Sequence, residues 1–130
     1  MSTFVYDHIH LRSPDPEATA RYYERMFGAQ IVRTPQSGGA TRIDLKLGGA
    51  EIFIAPVAAG SGVNPPPTTP YQGLDHFGLR VTNIQAVVAD LKTKGAEFTM
   101  ELNEFRPGTH ICFIRGPEGV SIEVLERKPV

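Results

Sequence analysis

A single cysteine, Cys112, means that no disulfide can form within the chain. It sits in an apolar run with Ile111, Phe113 and Ile114, where a buried structural thiol is expected, free cysteine being among the most buried residue types. No apolar run approaches the roughly 20 residues that a membrane-spanning helix needs. The opening residues, MSTFVYDHIH, lack the basic and apolar regions of a secretory signal, so a cytoplasmic location is the expectation. Basic charge is not in surplus either: 13 Lys and Arg stand against 14 Asp and Glu, with the signs interspersed. Nucleic-acid binding draws on a basic stripe, so nucleic acid is not an expected partner, and neither is a membrane. The sequence also has no G-x-S-x-G elbow, no phosphate-cradling loop and no paired C-x-x-C.

With 130 residues there is room for about one domain, single domains typically running ~100 to 150 residues. Within that length the chain repeats itself. DHIHLRSPD at residues 7–15 reappears as DHFGLRVTN at residues 75–83, an offset of 68 residues, from His8 to His76. Both copies begin Asp-His, carry Leu-Arg three residues after the histidine, and reach a helix-capping residue seven positions after it. The expected organisation is a single domain over residues 1–130, made of a first module at 4–57, a connector at 58–73 and a second module at 74–126. The connector, AAGSGVNPPPTTPYQG, is too rich in proline and glycine for a regular element.

In the first copy Asp15 is placed to cap a helix that has Pro16 at its first position, apolar Ala20, Tyr23 and Phe27 on one face, and Gly28 at its end. In the second, Asn83 caps a helix with Ile84, Val87, Val88 and Leu91 on one face and Lys94 and Gly95 at its end. Strand-like runs follow each helix, at 30–33, 41–47 and 51–55, then at 97–102, 110–115 and 120–126. Residues 41–47 alternate most clearly, with Thr41, Ile43, Leu45 and Leu47 opposite Arg42, Asp44 and Lys46. Each half therefore reads βαβββ.

Alternation along the first strand sets His8, His10 and Arg12 on one face and Ile9 and Leu11 on the other. In the second copy His76, Gly78 and Arg80 share a face opposite Phe77, Leu79 and Val81. The apolar sets pack under the helices, which leaves both repeated histidines on the open face. Two histidines at equivalent positions of a repeat suggest a metal site, imidazole being the commonest side-chain ligand of divalent transition metals. A carboxylate completes such a site, and in GPEGVSIEVLE the last strand offers Glu123, which points away from Val120, Ile122 and Val124. Glu126 and Arg127 beyond it are expected to be solvated. His10 is a candidate acid-base or supporting group. His110 is a candidate base or substrate contact if the face it shares with Cys112 and Ile114 lines the site, and a strand-end surface residue otherwise. Tyr71, Phe53 and Phe105 are candidate apolar walls.

These residues resemble the vicinal oxygen chelate superfamily, which includes glyoxalases, methylmalonyl-CoA epimerases, extradiol dioxygenases, and fosfomycin and bleomycin resistance proteins. The motifs that carry the resemblance are DHIHLRSPDPEATARYYERMFG, LDHFGLRVTNIQAVVADLKTKGAEF and GPEGVSIEVLE, and it covers about residues 4–126. It implies an α+β fold in which two βαβββ modules form a paired, cup-shaped mixed sheet. It also implies one divalent metal ion (Fe, Ni, Zn or Mn), a small-molecule substrate that chelates the ion through neighbouring oxygens, and a homodimer.

By the same resemblance the metal is held by the first-strand histidine and last-strand acid of each module, and His8, His76 and Glu123 match three of those four positions. At the fourth the sequence departs: aligning GGAEIFIA with EGVSIEVL puts Phe53 opposite Glu123, with Glu51 two residues earlier. A fourth ligand from Glu51 points to a glyoxalase-type lyase or isomerase, with Glu51 also moving a proton. Phe53 there points to the two-histidine, one-carboxylate triad of a non-haem Fe(II) dioxygenase. A third implied possibility is a bleomycin-resistance-like protein that sequesters a small molecule without metal chemistry.

Overall fold

The repeat becomes two compact units in the computed structural model, which describes residues 2–129; along the chain they divide between Asn64 and Pro65, inside the expected connector. The first contains β1 (His8–Ser13), α1 (Pro16–Phe27), β2 (Gln30–Pro35), β3 (Thr41–Leu47) and β4 (Ala50–Pro56). The second contains β5 (Phe77–Arg80), α2 (Ile84–Thr93), β6 (Glu97–Arg106), β7 (Thr109–Arg115) and β8 (Ser121–Arg127). Each unit has its own four-stranded sheet, ordered β1-β4-β3-β2 in one and β5-β8-β7-β6 in the other. The first strand of each lies parallel to the last and the remaining neighbours are antiparallel, so both sheets are mixed. The fold is α+β with βαβββ in each half, as the sequence pattern indicates.

Most strands run one or two residues past their expected ends, and β6 runs four further, to Arg106. It stays paired with β7 across several register shifts, bulges that let an irregular apolar pattern continue as one strand.

Local chemistry explains both helices. The Asp15 carboxylate accepts from the Ala18 amide at 3.1 Å, Pro16 fills a position that needs no amide hydrogen, and Gly28 turns out of the helix at φ 73°. Ser13 fastens this start to β1, its hydroxyl accepting from the Thr19 hydroxyl at 2.8 Å and from the Asp15 amide at 3.1 Å. In α2 the Asn83 side chain accepts from the Ala86 amide. A second cap is one the sequence conceals. Glu126 is buried, and its carboxylate accepts from the Asn83 amide at 2.9 Å and the Ile84 amide at 3.1 Å. The expectation that Glu126 is solvated is therefore wrong: the parallel pairing of β5 with β8 brings the end of β8 beside the start of α2, where two amides lack helical partners. Those two hydrogen bonds, Ile84 first, hold the carboxyl below its ordinary range.

In the first unit the core lies between α1 and one sheet face, where Ala20, Tyr23 and Met26 meet Ile43, Leu45, Ile52 and Ile54. In the second, Ile84, Val88 and Leu91 of α2 are buried with Cys112, Ile114, Ile122 and Val124. Burial pushes the Cys112 thiol up to about 11. No helix among the described residues is long and apolar enough to cross a membrane.

Candidate functional site

The face of each sheet turned away from its helix carries the repeated histidines. In the second unit His76 stands at the entry to β5, and its Nδ1 lies 2.7 Å from Asp75 Oδ2. On the other side of the ring, Nε2 lies 3.2 Å from Glu123 Oε1 on the neighbouring β8. The edge of the Phe113 ring packs on His76 with centroids 4.8 Å apart. Gly78 faces Glu123 across the parallel pair, and a Cβ there would stand 3.4 Å from Glu123 Oε1 and 3.3 Å from Leu125 Cδ2, so the missing side chain leaves room for the carboxylate.

This arrangement poses an electrostatic question. Once the His76 Nδ1–H donates to Asp75, a neutral imidazole presents only a lone pair at Nε2, and a carboxylate oxygen faces it. Two acceptors in contact are stabilised only by a proton or a cation between them. An imidazole nitrogen and a carboxylate oxygen are ligand types that first-row divalent ions take, and Asp75 on the far side of the ring holds the imidazole in place.

The first unit repeats the histidine but not the acid. His8 Nδ1 lies 2.6 Å from Asp7 Oδ2, as in the second copy, while the ring stacks on Phe53 with centroids 4.2 Å apart and planes at 26°. Phe53 pairs with His10 across β1 and β4 as Glu123 pairs with Gly78 across β5 and β8, so Phe53 has the register position of Glu123. Glu51 is opposite His8 and Lys46, with Lys46 Nζ 3.5 Å from its carboxylate.

One strand further the relation reverses. Asp44 on β3 pairs with Phe53, and Phe113 on β7 pairs with Glu123. Acid and aromatic have exchanged strands between the halves. Arg42 holds Asp44 through an Nε–Oδ2 contact of 2.8 Å and lies over the Phe53 ring, 4.6 Å from its centroid. An open cavity of about 850 Å³ in the first unit is lined by His8, His10, Arg42, Asp44 and Phe53 together with Pro16 and Glu17 at the start of α1.

Of the sequence-derived candidates, His76 and Glu123 are in contact, and His10 lies 6.1 Å from His8 between ring centroids. His110 is turned to the opposite face: it pairs with Glu126, alternates with Phe113, and sits 3.7 Å from Glu104. The condition for a site role is not met, because the face shared by His110, Cys112 and Ile114 packs toward the helix, as the burial of Cys112 and Ile114 requires. Tyr71 and Phe105 are exposed. Among the described residues no group of three or more His, Cys, Asp and Glu side chains stands close enough to hold a metal.

Sequence reasoning passed over Asp7, Asp75 and Asp44. The first two had a visible signal, the Asp-His pair that opens both copies. Asp44 had only its place in an alternating strand.

Among curated proteins, a probable chloroplastic lactoylglutathione lyase of Arabidopsis thaliana is 29% identical over 129 residues, covering 94% of this chain and 35% of that one. The lactoylglutathione lyase GLX1 of the same plant is 25% identical, covering 94% and 44%. The chain thus spans less than half the length of these relatives. Among solved structures, a glyoxalase family protein from Bacillus cereus superposes with a TM-score of 0.78 at 19% identity, covering 99% of each chain. One from Enterococcus faecalis gives 0.71 at 26% identity, covering 97% of this chain and 100% of the other. A family model matches residues 5–124, and with the two βαβββ units it shows that the chain belongs to the Glyoxalase/Bleomycin resistance protein/Dioxygenase superfamily.

Proposed function

We propose that the protein is a divalent-metal-dependent enzyme acting on a small organic molecule that chelates the ion through neighbouring oxygens, with His8, His76 and Glu123 as protein ligands. The observation that supports this reading is the His76 ring held between two carboxylates, with Nε2 3.2 Å from Glu123 Oε1 and Nδ1 2.7 Å from Asp75 Oδ2. With the Nδ1–H donated to Asp75, a cation between Nε2 and Glu123 Oε1 satisfies both. When bound, the metal (Fe, Ni, Zn or Mn) acts as a Lewis acid toward the substrate's oxygens.

The residues themselves divide the remaining work. Asp7 and Asp75 orient the two rings through Nδ1, so that Nε2 is the nitrogen each ring would offer to the metal. Phe53 and Phe113 put apolar surface against one side of each histidine ring. His10, lining the first-unit cavity, is within reach of a molecule bound there, and its imidazole can both give and take a proton.

Two reaction classes remain, each favoured by a specific observation. Phe53 in the register position of Glu123 favours a three-ligand, dioxygenase-like site. The names of the curated relatives favour a glyoxalase-type lyase or isomerase, with Glu51 as the added acid. A homodimer is part of the proposal.

Elemental analysis of protein purified without chelators tests the reading, with reconstitution of His8→Ala, His76→Ala, Glu123→Ala and Glu51→Gln. About one metal per chain, lost in the first three variants and kept in Glu51→Gln, supports the three-ligand site. Weaker binding in Glu51→Gln favours the lyase. Metal content unchanged in the first three variants, or no metal under any condition, overturns the proposal in favour of a small-molecule-binding protein.

A further inference from the structure

Two arginines end the parallel strand pair of the second unit. Arg80 is the last residue of β5 and Arg127 the last of β8, and both are exposed. They line one cavity of about 720 Å³ with Val81, Thr82 and Glu126. Gly78 is opposite Glu123 and Arg80 opposite Leu125, so alternation sets both arginines on the sheet face that carries Glu123. Arg127 stands two residues beyond Leu125, which puts the two Cα atoms about 8 Å apart, within joint reach of one small group. Among the described residues neither guanidinium has a hydrogen bond or an ion pair, while Lys92, Lys94, Arg115 and Lys128 of the same unit each have a carboxylate partner. Glu126 does not neutralise the pair, because its carboxylate is taken by the Asn83 and Ile84 amides and by Lys128. The first unit lacks this arrangement. Arg12 is the counterpart of Arg80 at the 68-residue offset, but the residue four past Phe53, as Arg127 is four past Glu123, is Val57.

We propose that Arg80 and Arg127 form a binding site for a phosphoryl dianion, carried by free phosphate or by a small phosphate monoester. Charge and shape decide the class. Two guanidiniums without a protein counter-ion are balanced by a compact dianion, whose three terminal oxygens match two forked donors. A single carboxylate is filled by one fork and leaves the other arginine unpaired. Thr82 adds a hydroxyl at the cavity wall. Glu123 lies four residues from Arg127 along β8, about 13 Å, with the buried Leu125 between them, so its charge is screened from the anion. The site belongs to the second unit alone and needs no metal, so it stands independently of the metal-enzyme reading.

Calorimetric titration at low ionic strength tests this, on protein stripped of metal and then freed of chelator, with inorganic phosphate, phenyl phosphate and acetate as probes. One saturable site is expected for both phosphates near pH 8, where they are dianions. Acetate is expected to bind about tenfold more weakly, the scale of one lost hydrogen bond to a charged group. Tighter binding of phenyl phosphate assigns the ester and tighter binding of inorganic phosphate the free ion, and either supports the site. Arg80→Gln and Arg127→Gln should each weaken phosphate binding about tenfold with Tm unchanged, since both side chains are exposed. Arg25→Gln, at an exposed arginine in the last turn of α1, should leave it unchanged. No saturable phosphate binding, acetate bound as tightly as phosphate, or affinity retained in both cavity variants overturns the assignment. Equal weakening by Arg25→Gln also overturns it, because the effect would then be one of diffuse charge and not of a site.

Discussion

His76 and Glu123 are 3.2 Å apart across a parallel strand pair, and in the other half the same register position beside His8 holds Phe53, stacked at 4.2 Å. The repeat thus keeps its histidine and discards its acid on one side. In the proposed metal site, that makes the position of Phe53 a place to intervene. Phe53→Glu is expected to add a carboxylate beside His8 and to raise metal affinity about tenfold or more; competition with a chromophoric chelator measures it. Unchanged affinity would mean that His8 does not share a site with Glu123.

The aspartates behind the rings give a second prediction. Asp75 and Asp7 are 2.7 and 2.6 Å from Nδ1 of their histidines, and partners of this kind are worth roughly 10- to 100-fold in metal affinity. Asp75→Asn and Asp7→Asn should each weaken metal binding by about that range while the circular dichroism spectrum stays native. Equal affinity in both variants and the wild type would remove the aspartates from the site.

How much of this was legible in the sequence follows from which signals are local. Caps and periodicity are: Asp15, Pro16, Gly28, Asn83 and the alternation of Thr41 to Leu47 are read within a few residues, and the elements formed where they indicate. The repeat supplied the βαβββ order. Pairing between distant strands is not local. Nothing near Glu126 in sequence announces the helix start at Asn83 that it caps, and the transposition of Asp44 with Phe53 relative to Phe113 with Glu123 becomes visible only when the registers are known. His110 shows the same limit, since which face of β7 meets α2 is decided by the buried partners of Cys112 and Ile114.

Gly78 tests the packing around the carboxylate. A methyl group there would press on Glu123 Oε1 and Leu125 Cδ2 at 3.4 and 3.3 Å, distances that require a neighbour to give way by a few tenths of an ångström. Gly78→Ala is expected to weaken metal binding severalfold, less than Glu123→Ala, with little change in Tm. A large drop in Tm with normal metal affinity would place the strain in the fold rather than at Glu123.

Cys112 predicts a kinetic behaviour. The thiol is buried and raised to about 11, so little thiolate is present near pH 8 and reagent has no access to it. Ellman's reagent should label it only as fast as the native protein opens, and the rate should rise steeply with urea. Rapid labelling of folded protein would contradict the packing of β7 against α2.

The last prediction concerns acid. The Glu126 carboxyl is held below its unfolded value near 4.5 by the Ile84 and Asn83 amides, aided by the charges of Lys128 and His110. Its folded state therefore binds fewer protons than the unfolded state in that window. The sign follows: the stabilisation is fully present above about 4.5 and is lost as pH falls through the lower folded value. Glu126→Gln keeps the shape and removes the charge, so it should lower Tm by a few degrees at pH 7, and the difference from wild type should shrink as the pH is lowered below 4. Thermal melts of both proteins between pH 3 and 7 measure this. A difference that stays constant across that range would mean that the carboxylate acts by packing alone, without its charge on the two amides at the start of α2.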